Sequence, residues 1–74
     1  MMKRFEVGKT YGAYDTGVPE ITILKRTAKM ATVQNDTSIW RMRIREDGEG
    51  EYMTDSSVPD AWRDCYTYHT KFEM

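Results

Sequence analysis

The sequence predicts a mainly β protein, a small SH3-like five-stranded barrel with one short helical turn before the last strand. Apolar and polar residues alternate in several short runs, which is the periodicity of a half-buried strand. Residues that favour turns separate these runs at short intervals. A chain of 74 residues is expected to form one domain, residues 1–74, and closing the sheet hides its faces and edges. An OB-type barrel is less favoured, because it usually needs longer strands and an internal helix.

The first strand is predicted at Phe5-Glu6-Val7, where apolar and polar side chains alternate. Gly8 and Lys9 follow it. Turn-forming residues then cluster from Gly12 to Pro19, and this composition predicts one surface loop over residues 12–19.

The next strand is predicted at Ile21 to Arg26, as the first half of a hairpin. A three-residue loop, Thr27-Ala28-Lys29, would pair Arg26 with Met30 and place Ile23 opposite Val33. A two-residue loop would put Ile23 beside Thr32 and require positive φ at residues that disfavour it, so we expect the longer loop.

This register sorts the hairpin's side chains onto two faces. The buried apolar face is expected to contain Ile21, Ile23, Ala31 and Val33. Arg26 is expected to face water. Leu24 and Met30 remain on the outer face, so they are candidates for a protein interface.

The strongest alternation in the chain runs from Trp40 to Arg45. It predicts an inner row of Trp40, Met42 and Ile44 and an outer row of Arg41, Arg43 and Arg45. Asp47-Gly48-Glu49-Gly50 has the composition of a hairpin turn, and a fourth strand is predicted at residues 51–54. Glu51 or Met53 is expected across from the arginine row, on a solvated face.

A helical turn is predicted from Pro59 to Asp64, with Ser57 able to cap it. It is short enough to be a single 3₁₀ turn. Trp62 is expected to plug one end of the sheet. The last strand is predicted at residues 66–70, and the final residues are expected to fray.

Two segments of the first half resemble a group of small uncharacterised bacterial proteins encoded on phages, plasmids and other mobile elements. The segments are Phe5-Glu6-Val7-Gly8-Lys9-Thr10-Tyr11 and Ile23-Leu24-Lys25-Arg26-Thr27-Ala28-Lys29, with Ala31-Thr32-Val33 after them. The resemblance ends before Asp47. It implies a genomic setting and no particular activity.

Charge and cysteine content favour a cytoplasmic protein. The amino terminus becomes charged at Lys3 and lacks the apolar region of a signal peptide, and no apolar run is long enough to span a bilayer. The single cysteine allows no internal disulfide.

The net charge of −1 divides into +5 over residues 1–45 (nine Lys/Arg, four Asp/Glu) and −6 over residues 46–74 (two Lys/Arg, eight Asp/Glu). This division indicates either a basic and an acidic face or two halves that attract each other.

Catalytic, cofactor and metal sites are not predicted. Gly8-Lys9-Thr10 ends like a phosphate-binding loop, but the position five residues before Gly8 is Lys3 instead of glycine. His69 is expected to be a surface or structural residue, and Cys65 a small buried apolar one. One histidine and one cysteine cannot supply the three or four ligands of a metal site. We therefore expect no enzyme and no small-molecule substrate.

Binding is the function class that remains. The first interpretation is an interaction module for another protein, such as a regulator or inhibitor encoded by a mobile element. The alternatives are a nucleic-acid-binding barrel and a self-associating structural subunit that uses Leu24 and Met30. Arginines on alternate residues lie about 7 Å apart, close to the spacing of phosphates. The candidate binding surface comprises Lys25, Arg26, Lys29, Arg41, Arg43, Arg45 and Tyr52, and Tyr52 or Tyr68 would add a stacking surface.

Overall fold

The computed structural model describes residues 3–74 and confirms a mainly β fold. Residues 1 and 2 of the predicted domain and charged amino terminus lie outside the described residues. Seven antiparallel strands form one sheet in the order β4-β3-β2-β1-β7-β6-β5. The strands are β1 Thr10–Ala13, β2 Ile21–Arg26, β3 Met30–Gln34, β4 Ile39–Arg43, β5 Arg45–Glu46, β6 Glu51–Thr54 and β7 Thr67–Glu73.

The prediction of a five-stranded SH3-like barrel is wrong, because the sheet has seven strands and does not close. Its two edge strands, β4 and β5, are consecutive in the chain and separated only by Ile44. The sheet therefore curls until its edges come near each other. At Ile44 the side chain is buried and the backbone N–H donates to the Lys29 carbonyl (2.8 Å). No strand pairing among residues 3–74 joins β4 to β5 or β6.

The hairpin of β2 and β3 has a bulge at Leu24 that the sequence did not reveal. Ile23 pairs with Val33 as predicted, but Lys25 pairs with Thr32 and Arg26 with Ala31. The predicted pairing of Arg26 with Met30 is therefore wrong. The extra residue at Leu24 reverses the direction of the two side chains that follow it, since side chains alternate along a strand.

The first predicted strand, Phe5-Glu6-Val7, is also wrong. Gly8 takes a positive φ of 88° and turns the chain, and β1 begins only at Thr10. Phe5 is nevertheless part of the core. Its ring meets that of Tyr11 edge-on, at a centroid distance of 4.8 Å. The predicted loop over residues 12–19 is accordingly shorter, because its first two residues belong to β1.

The core lies on the concave side of the curled sheet. It contains the predicted apolar face of β2 and β3 and the inward residues of β4, β6 and β7, among them Ile21, Ile23, Ala31, Val33, Met42, Met53 and Tyr68. Trp40 packs against this core and is partly buried.

The carboxyl-terminal third differs from the prediction in two respects. A single 3₁₀ turn, Asp60–Trp62, is present as expected, but no side chain caps it, and Trp62 is 58% exposed and does not plug the sheet. The last strand continues to Glu73, because its far end pairs with β1. No helix within residues 3–74 has the length and apolar character needed to cross a membrane.

Glu51 is the most consequential buried group. Its side chain is 2% exposed and pairs with Arg26, which is 12% exposed. Arg26 donates to both carboxylate oxygens, at 2.6 and 3.0 Å, and the N–H of Phe5 donates to one of them at 2.7 Å. The expectation that Glu51 or Met53 lies across from the arginine row on a solvated face is wrong, because both side chains are buried and Arg45 pairs with Tyr52. The bulge at Leu24 is the reason for the position of Glu51, because it turns Arg26 inward.

We predict that Glu51→Gln lowers the free energy of unfolding by about 3 kcal/mol, because it leaves Arg26 buried without its counter-charge. Urea denaturation monitored by circular dichroism measures the change. Glu49→Gln is the matched control, since Glu49 is exposed in the adjoining turn, and we expect it to change stability by less than about 0.5 kcal/mol. Equal effects of the two variants would contradict a stabilising role for the pair.

The same pair predicts an acid dependence of stability. Burial opposes ionisation of Glu51, but the hydrogen bonds from Arg26 and Phe5 outweigh it and lower the pKa of its carboxyl. The unfolded glutamate titrates at about pH 4.3, so this contribution is complete above that pH and disappears as the pH falls through the lower folded value. We expect the wild-type protein to lose stability below pH 4.3 more steeply than Glu51→Gln, measured by urea denaturation at a series of pH values. Parallel pH profiles would contradict this prediction.

Candidate functional site

The arginine row of β4 and β5 lies on the outer face of the sheet, as predicted. Arg41, Arg43 and Arg45 are exposed, while Met42 and Ile44 between them are buried. The alternation of apolar and cationic residues dictates this arrangement, since a strand at the surface of a small core can bury only one of its faces.

The bulge at Leu24 adds a fourth cation to this face. Lys25 pairs with Thr32, and Thr32 pairs with Arg41 on its other side. Residues that are directly opposite in a sheet share a face, so Lys25 and Arg41 project from the same surface. Lys29, in the loop before β3, lines a shallow depression together with Arg43 and Arg45, and Arg4, Glu46 and Glu51 line it as well. We call Lys25, Lys29, Arg41, Arg43 and Arg45 the basic face.

Arg26 was predicted to belong to this surface, and the structure places it elsewhere. Its guanidinium is held by Glu51 and by the Phe5 carbonyl (2.9 Å). The hydrogen bonds that Arg26 donates to Glu51 outweigh the effect of burial and raise the pKa of Arg26 above its ordinary value. Arg26 is thus a structural residue, and it is not available to a ligand.

The cations of the basic face form no ion pair within the described part of the chain. No carboxylate of residues 3–74 lies within 4.0 Å of any of these five side chains. Glu46 is exposed next to Arg45 and makes no ion pair among residues 3–74. Glu51 is instead committed to Arg26 and Arg4. The face consequently carries a local positive charge although the whole chain is nearly neutral.

A groove of about 440 Å³ runs beside the outer edge of β4. We call it the arginine groove. It separates β4 from the end of β6 and the segment after it, where the sheet fails to close. Its lining consists of Met30, Arg41, Met42, Arg43, Arg45, Thr54, Ser56 and Arg63.

Among the described residues, Arg63 is the arginine of this groove that forms an ion pair. It forms an ion pair with Asp60, and its Nε donates to the carbonyl of Val58 at 3.0 Å. Its Nη2 donates to the carbonyl of Ser56 at 3.2 Å. Arg63 therefore fixes one wall of the arginine groove, whereas Arg41, Arg43 and Arg45 form no ion pair within residues 3–74.

A second and larger concavity, of about 770 Å³, lies between β6 and β7 on one side and the loop after β1 on the other. We call it the aromatic cavity. Two tyrosines, three aspartates and several small polar residues line it: Tyr14, Asp15, Thr16, Asp47, Tyr52, Thr54, Asp64, Cys65 and Thr67. The aspartates do not form a metal site, since no group of three or more ligating side chains within residues 3–74 is arranged to hold an ion.

His69 and Asp47 form a fixed pair next to this cavity. His69 is fully buried, and its Nδ1 accepts a hydrogen bond from the backbone N–H of Lys71 (3.0 Å). Because Nδ1 is an acceptor, Nε2 is the donor to Asp47 Oδ2 (2.8 Å). This bond lowers the pKa of Asp47. The backbone N–H groups of Glu49 and Gly50 lower it further, because both donate hydrogen bonds to Asp47 Oδ1. His69 is thus a satisfied structural residue, in agreement with the prediction.

The two tyrosines of the cavity are held differently. Tyr52 lies nearly parallel to the His69 ring, with an angle of 11° and a centroid distance of 6.5 Å. Tyr14 meets Phe72 edge-on, and the Lys71 ammonium lies 4.8 Å from its centroid. Tyr68, the other predicted stacking residue, is buried in the core and cannot receive a ligand.

Sequence reasoning found the basic face and missed the cavity. Spacing predicted the arginine row, but Lys25 joined it by way of a bulge. Tyr52 was predicted, but Tyr14 and the aspartates come together only through the pairing of β1 with β7 and of β6 with β7. Cys65, expected to be buried, is partly exposed in the cavity wall. Leu24 and Met30 lie on the outer face as predicted, 39% and 38% exposed.

Comparisons with protein-family models, with curated proteins and with solved structures give no match to this chain.

We predict that Gly50→Ala destabilises the protein. A Cβ at Gly50 would overlap Thr70 Oγ1 and lie 3.3 Å from His69 Cε1, and overfilling a packed interior costs about 1–3 kcal/mol. Gly12→Ala is the control, because its Cβ would meet the nearest atom, Phe72 Cβ, at an ordinary 3.7 Å. Thermal unfolding of both variants measures the effect. An unchanged midpoint for Gly50→Ala would contradict the tight packing beneath the His69–Asp47 pair.

Proposed function

We propose that this protein is a cytoplasmic, non-enzymatic interaction module that binds nucleic acid through the basic face. The observation that supports the proposal is the set of five cationic side chains that share one surface without a carboxylate partner within residues 3–74. Such a surface attracts polyanions, and its attraction is strongest where low-dielectric walls focus the field.

The geometry of the row favours phosphate as the anion. Arg41 and Arg43 stand on alternate residues of one strand, about 7 Å apart, which is close to the separation of successive phosphates. Arginine also binds phosphate with two parallel hydrogen bonds, whereas a lysine contributes a point charge. Ser56, across the arginine groove, adds a hydroxyl group that can donate to a phosphate oxygen.

The state of the titratable groups agrees with a binding role. His69 is buried with both ring nitrogens already bonded, so it is not free to transfer protons to a ligand. Cys65 is partly exposed, and its thiol makes no hydrogen bond to the other side chains that the structure describes in the cavity lining. The basic face itself contains only arginine and lysine side chains, which donate hydrogen bonds to anions.

A protein partner is the second candidate, and the exposure of Leu24 and Met30 favours it. Met30 pairs with Arg43 and so stands on the basic face. A regulator or inhibitor with this surface would contact an acidic protein, and a second copy of the chain would cover the two apolar side chains. If two copies associate in this way, Leu24→Asp should lower the molecular mass that light scattering measures in solution.

We predict that the double variant Arg41→Ala/Arg43→Ala binds a fluorescent single-stranded oligonucleotide at least tenfold more weakly than the wild-type protein. Loss of two phosphate contacts also reduces the slope of log K against log salt by about 1.4, since each contact contributes about 0.7 for single strands. Fluorescence anisotropy at several salt concentrations measures both quantities.

Lys3→Ala/Lys9→Ala is the matched control for charge. It also removes two positive charges, but from lysines that are paired with Glu73. We expect the control to retain most of the affinity and nearly the full slope. Equal weakening by both variants would indicate a response to net charge alone. No binding by the wild-type protein at low salt would refute the proposed function, and light scattering of the same samples would then test self-association.

A further inference from the structure

We propose that the aromatic cavity is a base-binding subsite, and that the nucleic acid held by the basic face is single-stranded. The inference rests on the proposed function and specifies its ligand. It assigns the phosphate of a nucleotide to the arginine groove and its base to the aromatic cavity. Three observations support it: the continuity of the groove and the cavity, their opposite charges, and the position of Tyr52.

The groove and the cavity are adjacent. Thr54 lines both of them. Arg45, in the groove, pairs directly with Tyr52, in the cavity, and directly opposed residues of a sheet lie about 5 Å apart at Cβ. A phosphate beside Arg45 would therefore have its own base within reach of Tyr52.

The charges of the two concavities orient a nucleotide. Arg41, Arg43 and Arg45 line the groove, and no carboxylate appears in its lining. The cavity contains three aspartates and, within its own lining, no cation. Phosphate is repelled from the cavity and attracted to the groove, so the uncharged base is the part of a nucleotide that can enter.

The cavity also provides hydrogen-bond acceptors for a base. Asp64 is exposed, and its side chain makes no hydrogen bond or ion pair among the described residues. Carboxylates accept hydrogen bonds from exocyclic amino groups, such as that of cytosine. Asp47 already accepts hydrogen bonds from His69 and from two backbone N–H groups of its turn. Its role is therefore to hold His69, the neighbour of Tyr52, in place. Cytosine is therefore the base that we use as the probe.

Tyr52 is the stacking surface. The buried His69 ring lies nearly parallel to the Tyr52 ring at a centroid distance of 6.5 Å, and Tyr52 lies between its two cross-strand neighbours, His69 and Arg45. A ring that is fixed before the ligand arrives loses little freedom on binding. Tyr14, by contrast, is engaged by Lys71 and Phe72, so it forms a wall of the cavity and leaves the stacking role to Tyr52.

A duplex cannot use this arrangement, because its bases are stacked inside and paired. An unpaired strand can turn one base into the cavity while its phosphates follow the basic face, and stacking on an aromatic side chain changes affinity by about tenfold or more per base. The expected ligand is therefore single-stranded, with affinity from phosphate contacts and an added preference for strands that carry bases.

The experiment compares two strands of the same length and charge on the wild-type protein: a twelve-nucleotide cytosine strand and an abasic strand with the same backbone. We expect the cytosine strand to bind about tenfold more tightly, measured by fluorescence anisotropy. Equal affinities would overturn the base-binding subsite and leave the proposed function standing. Failure of both strands to bind at low salt would overturn the proposed function itself. A duplex that binds more tightly than the cytosine strand would also overturn the inference.

Two variants of Tyr52 then test whether this residue is the stacking surface. Tyr52→Ala should bind both strands equally, at the affinity of the abasic strand, whereas Tyr52→Phe should keep the preference, because a phenyl ring still stacks. Circular dichroism verifies that both variants are folded. If Tyr52→Ala does not fold, the comparison of the cytosine strand with the abasic strand on the wild-type protein still decides the question. A preserved preference in folded Tyr52→Ala would refute the assignment of the base to the aromatic cavity.

Discussion

The buried ion pair of Glu51 and Arg26 is the interaction on which the rest of the structure depends. It joins three parts of the chain that are far apart in sequence: the segment before β1, the end of β2 and the start of β6. A carboxylate can be this deeply buried only with a close counter-charge and further hydrogen bonds, and Arg26 and the N–H of Phe5 supply them. Phe5 is thereby held over Tyr11, which completes the core of a small domain, where apolar burial alone gives only a marginal stability.

The same pair determines where the free charges lie. Arg26 points inward because of the bulge at Leu24, and the bulge also turns Lys25 outward, onto the face of Arg41. Glu51, which the sequence would place among the arginines of the surface, is withdrawn into the interior. One local irregularity of β2 therefore does two things: it pairs the buried carboxylate and leaves the exposed cations without a partner.

The amino-acid sequence predicts the parts of this fold that depend on local alternation. β2, β3, β4, β6 and the turn at Asp47–Gly50 follow from it, as does the arginine row. It does not predict the bulge, because Ile21 to Arg26 alternates regularly and nothing in these residues indicates which of them would be left unpaired. Phe5-Glu6-Val7 failed as a strand for a related reason: its backbone is fixed by a distant glutamate, and alternation alone carries no information about such contacts. Trp62 was misplaced because size and apolarity predict burial only where the core has room, and Tyr11, Phe5 and Met53 already fill it.

Net charge is a poor guide to this surface, and the reason is structural. A composition of 11 Lys and Arg against 12 Asp and Glu argues against nucleic-acid binding if the charges are evenly mixed. The fold separates them: one carboxylate is consumed by the buried pair, and three others line the aromatic cavity. What a ligand meets is the field over one face within a Debye length, about 8 Å at physiological salt, and not the sum over the chain. A nearly neutral protein can therefore present a basic groove beside an acidic cavity. A nucleotide fits this pair of sites, because its anionic phosphate matches the groove and its neutral base can enter the cavity.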